Sequence, residues 1–370
     1  MTNPGSSADH KIRVLVVDDS AMMRKIITTA LAMASDIDVV GVAEDGLIAI
    51  QKVKELVPDV ITLDIEMPNM DGIAALTEIR KFNRTVPIIM FSTLTQRGAE
   101  STIQALTSGA SDYVGKPTDV GDAQAAFKAL QDSLIPKVRA LFKRPFRHAA
   151  KPGMEAGASS LPVQEPPCTL LKESYVLARP DAVVLGVSTG GPTALIDIFS
   201  QFKTPLTVPM FIVQHMPPKF TDLLAKRLAG LGPIPVKEAE HGEVAQAGVV
   251  YVAPGGFHLH LERMGSRVVM HTSQEPPENS CRPAADVLFR TAAKIYKSKL
   301  LGVVLTGMGS DGLRGAQEIV QAGGFMIAQD QESSVIWGMP GAVAKANLAH
   351  RILPLNKIAQ EISSRCALST

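Results

Sequence analysis

What most constrains this chain is an alternation that occurs twice. From Lys11 to about Leu141, apolar strand-like runs at Ile12–Val17, Val39–Ala43, Val60–Leu63, Val86–Phe91 and Tyr113–Val114 alternate with helix-period stretches such as Met22–Met33 and Ile73–Lys81. Five strand–helix repeats bury their apolar strands as a parallel sheet with helices on both faces. The texture then changes. Residues 143–178 hold five prolines (Pro145, Pro152, Pro162, Pro166 and Pro167) and no sustained period, the composition of an interdomain linker.

A second alternation starts at Asp181. Strands are expected at Ala182–Val187, Met210–Gln214, Val249–Ala253, His258–Glu262, Arg267–His271, Leu301–Thr306 and Phe325–Ala328. Helices are expected at Thr193–Phe202, Thr221–Ala229, Ala284–Tyr296, Leu313–Gln321 and Pro340–Ala346. Turns at Pro254-Gly255-Gly256 and Met264-Gly265-Ser266 make Gly248 to His271 read as hairpins inserted in an α/β domain. The expected organisation is a first domain at 11–142, a linker at 143–178 and a second domain at 179–370.

Composition excludes several classes. A net charge of +1 gives no bulk attraction to nucleic acid or to anionic membranes, and the second half has no basic recognition helix of a transcriptional regulator. Cys168, Cys281 and Cys366 are scattered, without disulfide or metal-ligand spacing. The polar first ten residues lack a signal-peptide core, and no apolar run reaches membrane-spanning length. A cytoplasmic protein with no membrane insertion is expected.

In the first half, polar residues gather at strand ends. Asp18 and Asp19 follow the first strand, Asp64 the third, Ser92 the fourth and Lys116 the fifth. In a doubly wound sheet these ends share one edge. Three carboxylates there repel unless a divalent cation sits among them, and an oxygen-only set suits Mg2+. A metal, a hydroxyl and an ammonium around one aspartate are what a transferred phosphoryl group needs.

In the second half, Ala182–Val187 breaks at Ser188-Thr189-Gly190-Gly191-Pro192 before a helical stretch. The spacing fits G-x-S-x-G, a turn compatible with a nucleophile, a phosphate cradle or close packing. His215 and Asp311 also follow expected parallel strands, so the three converge if those strands are neighbours. The order serine, histidine, aspartate is not that of an α/β-hydrolase. His241 is a second candidate base, in a polar run. His258 and His260 share one strand face, a spacing that serves structure as well as metal.

The first region resembles a response-regulator receiver domain, with its five-stranded, doubly wound, flavodoxin-like fold. The resemblance rests on Val16-Val17-Asp18-Asp19-Ser20, on Asp64-Ile65-Glu66-Met67-Pro68-Asn69-Met70-Asp71-Gly72 and on Lys116-Pro117. It implies Asp64 as phospho-acceptor, Asp18, Asp19, Asp64 and the Glu66 carbonyl as Mg2+ ligands, and Ser92, Tyr113 and Lys116 as the phosphorylation switch. A histidine kinase would be the phosphodonor. The second region is similar to the catalytic domain of the chemotaxis protein-glutamate methylesterases, a Rossmann-like α/β domain with a β-hairpin insertion. Its matching stretches are Gly186 to Pro192, Gln214-His215-Met216-Pro217, Ala253-Pro254-Gly255, Arg282 to Phe289, Thr306 to Gly312 and Glu332 to Pro340. That resemblance implies Ser188 as nucleophile, His215 as base, Asp311 as its orienter and the Met308 N–H as an oxyanion donor. It further implies methylated chemoreceptors as substrate, deamidation of selected glutamines, and no cofactor for the ester step.

Overall fold

The computed structural model describes residues 11–93, 95–116, 123–142 and 179–367. The proline-rich stretch expected to link the domains lies outside them. The first alternation forms β1 (Ile12–Val17), α1 (Ala21–Ala32), β2 (Ile37–Ala43), α2 (Gly46–Leu56), β3 (Val60–Asp64), α3 (Gly72–Phe82), β4 (Ile88–Ser92), α4 (Gln96–Thr107), β5 (Asp112–Gly115) and α5 (Ala123–Phe142). The strands pair in parallel in the order β2-β1-β3-β4-β5. β3 and β4 are buried along their whole length, which is why they read as unbroken apolar runs rather than alternating ones. Side chains of Ser20, Asp45, Asp71 and Thr95 cap α1 to α4.

The second alternation forms β6 (Ala182–Val187), α6 (Gly191–Phe199), β7 (Met210–Gln214), α7 (Phe220–Ala229), β8 (Val236–Glu238), β9 (Val250–Val252), β10 (His258–Met264) and β11 (Arg267–Ser273). It continues with α8 (Ala285–Tyr296), β12 (Leu300–Val304), α9 (Leu313–Gln321), β13 (Phe325–Gln329), α10 (Met339–Lys345), β14 (Arg351–Leu353) and α11 (Leu355–Cys366). The parallel sheet runs β14-β13-β12-β6-β7-β9-β8. The chain enters at β6, builds to one side through β7 and returns to the other through β12. That reversal opens a crevice at the carboxyl ends of β6, β7 and β12.

Two expectations are corrected, and three elements have no counterpart among those expected. Only β10 and β11 form an inserted antiparallel hairpin; Val250–Val252 instead joins the main sheet beside β7, because it is a fully buried apolar run that needs cover on both faces. α6 begins at Gly191 and ends at Phe199, where Thr193–Phe202 was expected, since Gly190 is left-handed (φ +75°) and Pro192 suits a first turn. β8 and β14 are three-residue edge strands, too short to leave a period in the sequence. α11 does carry a period, burying Ile358, Ala359, Ile362 and Cys366 at helical spacing.

The two sheets meet through helices. α4 packs on α6 and α7, and its Ala99 and Ile103 share one apolar cluster with Leu195, Phe220 and Leu224. Thr193 Oγ1 donates to the Leu106 carbonyl at 3.4 Å, and the Tyr113 ring stacks on Phe220 at 5.3 Å.

Candidate active site and phospho-acceptor pocket

Ser188 follows β6 directly and its backbone is clamped. Its N–H donates to Thr306 O at 3.0 Å, and its carbonyl accepts from Gly191 N at 2.7 Å and Gln214 Nε2 at 3.1 Å. The turn has no room for side chains. A Cβ on Gly191 would lie 2.0 Å from Gln214 Oε1, and one on Gly307 would lie 2.8 Å from Ser188 Cβ. α6 has no side-chain cap, so its positive end stays unneutralised beside Ser188.

His215 follows β7. The Val187↔Gln214 register puts it on the strand end next to Ser188. Its Nε2 lies 2.7 Å from Asp311 Oδ2 and its Nδ1 lies 3.4 Å from Cys281 Sγ. Among the described residues no hydrogen bond joins the Ser188 hydroxyl to the imidazole. Burial works against charge on this ring, but hydrogen bonds and charge from Asp311 and Cys281 outweigh it and hold the imidazole up at about 9.

Asp311 is not the cap of α9; Gly312, left-handed at φ +88°, takes that position. The carboxylate turns into the crevice instead. Oδ2 accepts from Ala285 N at 2.6 Å, and Oδ1 accepts from Asp286 N at 3.1 Å, Gly312 N at 3.0 Å and Asn279 Nδ2 at 2.8 Å. Burial favours its neutral form, yet the bond and charge of His215 and these N–H donors bring it below the usual carboxylate range. Gly307, before Met308, is held by three backbone bonds: its N–H donates to Ile336 O, and its carbonyl accepts from Gly338 N and Met339 N, at 3.0, 3.1 and 2.9 Å. The Met308 side chain is exposed.

The other histidines lie elsewhere. His241 is exposed and accepts from Thr272 N at 3.1 Å. His258 is buried, between the Pro276 carbonyl and Ala284 N, a structural role. His260 bonds Ser273 and pairs with Glu275.

The pocket at the edge of the first sheet has a different electrostatic character. Asp18, Asp19 and Asp64 each bring a carboxylate oxygen within 4.8 Å of the others. Asp18 and Asp64 are buried. Lys116 Nζ lies 2.6 Å from Asp64 Oδ2 and 3.2 Å from Asp18 Oδ2, yet that Asp18 oxygen accepts no hydrogen bond. Burial pushes Asp64 up to about 6 against the pull of Lys116, and raises Asp18 as well. One ammonium among three carboxylates, two of them buried, fits a hard divalent cation such as Mg2+. Glu66 is exposed, its side chain 3.9 Å from Arg97. Ser92 Oγ donates to the Gly98 carbonyl in the first turn of α4 at 2.9 Å. Lys137 Nζ donates to the Tyr113 carbonyl at 2.7 Å and lies over its ring.

Residues 183–362 match the model of the CheB methylesterase family, and residues 14–128 that of the response regulator receiver domain. A protein-glutamate methylesterase/protein-glutamine glutaminase of Trichodesmium erythraeum (strain IMS101) is 48% identical over 358 residues, covering 96% of this chain and 99% of its own. The chain belongs to the protein-glutamate methylesterase/protein-glutamine glutaminase family. A second such methylesterase, from Nocardioides sp. (strain ATCC BAA-499 / JS614), is 47% identical over 356 residues and covers 96% of each chain. The crystal structure of the Thermotoga maritima CheB methylesterase catalytic domain is 42% identical, covering 50% of this chain and 99% of that one, with a TM-score of 0.49. No helix among the described residues of this methylesterase is long and apolar enough to cross a membrane.

Four residues of the methylesterase crevice escaped the sequence reading: Gln214, Asn279, Cys281 and Asp286. In the sequence Gln214 stands as the end of an apolar strand and inside the matching stretch Gln214–Pro217, with no role of its own, although its amide bonds the Ser188 carbonyl. Cys281 was counted only as one of three scattered cysteines. Its place directly before Arg282-Pro283, in the stretch that supplies the donors to Asp311, was the available signal.

Proposed function

We propose that this enzyme hydrolyses glutamyl γ-methyl esters on chemoreceptor cytoplasmic regions by a Ser188–His215–Asp311 acyl-enzyme mechanism, with 179–370 the catalytic domain and 11–142 its phosphorylation-controlled receiver. The observation that carries the reading is the His215–Asp311 pair at 2.7 Å on the strand end adjoining Ser188. Asp311 bonds Nε2, so Nδ1 is the nitrogen that receives the serine proton once the Cys281 sulfur gives way. Ser188 Oγ attacks the ester carbonyl, and the oxyanion takes N–H donation from Met308 and the uncapped start of α6. The imidazolium returns its proton to the departing methoxide, which leaves as methanol. Water, deprotonated by His215, then releases the glutamate carboxylate from the serine. A glutamine side chain follows the same path with ammonia as leaving group, and no cofactor enters either step.

In the receiver, Asp64 accepts the phosphoryl group from a chemotaxis histidine kinase, and Lys116 neutralises part of its charge. Mg2+ would be held by Asp18, Asp19 and Asp64, with the Glu66 carbonyl, and supplies charge neutralisation to the phosphoryl oxygens. Ser92 then turns from the Gly98 carbonyl toward the phosphoryl group, which loosens the first turn of α4. α4 and Tyr113 cover α6 and α7, the helices that begin beside Ser188 and His215, so their release opens the crevice. The Tyr113–Phe220 stack contributes about 0.5–1.5 kcal/mol to the closed state, a modest bias for a phosphoryl group to overturn.

Methanol release from methylated receptor, with and without acetyl phosphate, tests both parts. The expected result is stimulation of the full chain by the phosphodonor and loss of release in Ser188→Ala. Full activity in Ser188→Ala removes the nucleophile assignment; an unstimulated wild type removes the gating.

A further inference from the structure

We propose that Asn279 is a positioning residue of the esterase, the amide that allows Asp311 to stand as a charged, aimed carboxylate next to a second buried carboxyl, Asp286. The inference deepens the triad reading and rests on it.

Asp311 and Asp286 are 2% and 1% exposed, so solvent screens neither. Burial raises the Asp286 pKa, and the charge of Asp311 adds to the rise. Two such groups left to themselves share a proton, and an orienting carboxylate that takes that proton no longer stabilises an imidazolium. One side-chain nitrogen sits within reach of both. Asn279 Nδ2 lies 2.8 Å from Asp311 Oδ1 and 2.9 Å from Asp286 Oδ2. A primary amide carries two N–H donors, so it serves each acid with one. The other Asp286 oxygen accepts from Gly315 N at 2.6 Å; among the hydrogen bonds of the described residues, Asn279 is the only partner of Oδ2.

The backbone explains why an asparagine delivers this amide. Asn279 and Ser280 are both left-handed (φ +52° and +62°) and close a tight turn in which Glu278 and Cys281 exchange backbone bonds of 3.1 and 2.9 Å. Asparagine tolerates that conformation better than other side chains of its size. The turn is anchored from outside: Glu278 meets Arg290 of α8 through two bonds of 2.6 and 2.7 Å. Cys281, at the other end, touches His215 Nδ1. One four-residue turn therefore contacts both the acid and the base.

The test uses the full chain stimulated with acetyl phosphate, and reads kcat and KM for methanol release from methylated receptor. Asn279→Ala should lower kcat about ten- to a hundredfold, the effect of losing a hydrogen bond to a charged group, with KM within about twofold. Adding Asp286→Asn to it removes the opposing charge and should recover about tenfold of that loss. If Asn279→Ala does not fold, Asn279→Gly carries the same test, because glycine tolerates the left-handed turn while removing both donors and adding no charge. An unchanged kcat, a defect confined to KM, or no recovery in the double variant overturns the proposal. Failure of the triad reading itself looks different: Ser188→Ala stays active.

Discussion

The enzyme buries carboxylates at the carboxyl edge of two parallel sheets, and solves the same electrostatic problem in opposite ways. At Asp64, burial outweighs compensation: three acids meet one lysine, a buried oxygen is left without a hydrogen bond, and the carboxyl rises to about 6. At Asp311, compensation outweighs burial: three backbone N–H groups, an asparagine amide and an imidazole surround one carboxylate, and its pKa falls. The first arrangement is incomplete without a cation and suits a site that must gain a dianionic phosphoryl group. The second is complete within the chain and suits a group whose charge must be present before substrate arrives. In the proposed reading, the same sheet edge serves regulation where charge is left uncompensated, and catalysis where backbone and side-chain donors compensate it.

The comparison is most sharply tested at Asp311. Asp311→Asn puts an NH2 group against the N–H donors of Ala285 or Asp286 and removes the charge that fixes the imidazole, so kcat should fall about 10⁴-fold. A loss below about tenfold, read in the methanol assay, would mean that the shell of donors serves stability alone.

A smaller effect lies in the pH profile. In the proposed mechanism His215 acts when neutral, so activity should fall as pH drops through its pKa, which Asp311 and Cys281 hold up at about 9. Cys281→Ala removes one of those supports and should move the acid limb of kcat/KM to lower pH. Each unit of that movement raises the rate at pH 7 about tenfold. An acid limb identical in both proteins would show that the thiol does not bear on the base.

The smallest effect concerns the acidic pocket. With Asp64 ionised above about 6, millimolar Mg2+ should raise the melting temperature by a few degrees at pH 7.5. At pH 5 a proton on Asp64 competes and the rise should shrink. Scanning calorimetry of the full chain distinguishes this from an equal rise at both pH values, which would place the cation elsewhere.

Much of the fold was legible because parallel strands buried on both faces must be apolar throughout. Ile12–Val17, Ala182–Val187 and Met210–Gln214 were read to the residue. Val250–Val252 was misplaced, because a three-residue apolar run next to turns has the same pattern whether it enters a hairpin or a sheet. Ser188 and His215 stand out in the sequence as polar residues that end such runs, and Asp311 as a carboxylate a short glycine-containing stretch beyond one. Asn279 and Asp286 were not, since an exposed turn residue and a residue in the first turn of a helix acquire meaning only when a third segment passes between them.

The sequence by itself determined two α/β units, the acidic cluster and the polar residues at each strand end, because hydrophobic period and strand-end chemistry are local properties of the chain. Only the tertiary structure decided that Asp311 faces His215 rather than capping α9, that Cys281 meets the Nδ1 of the same ring, and that Tyr113 rests on Phe220. Those are contacts between segments tens of residues apart. Their energies depend on distance, burial and direction, which a linear pattern does not encode.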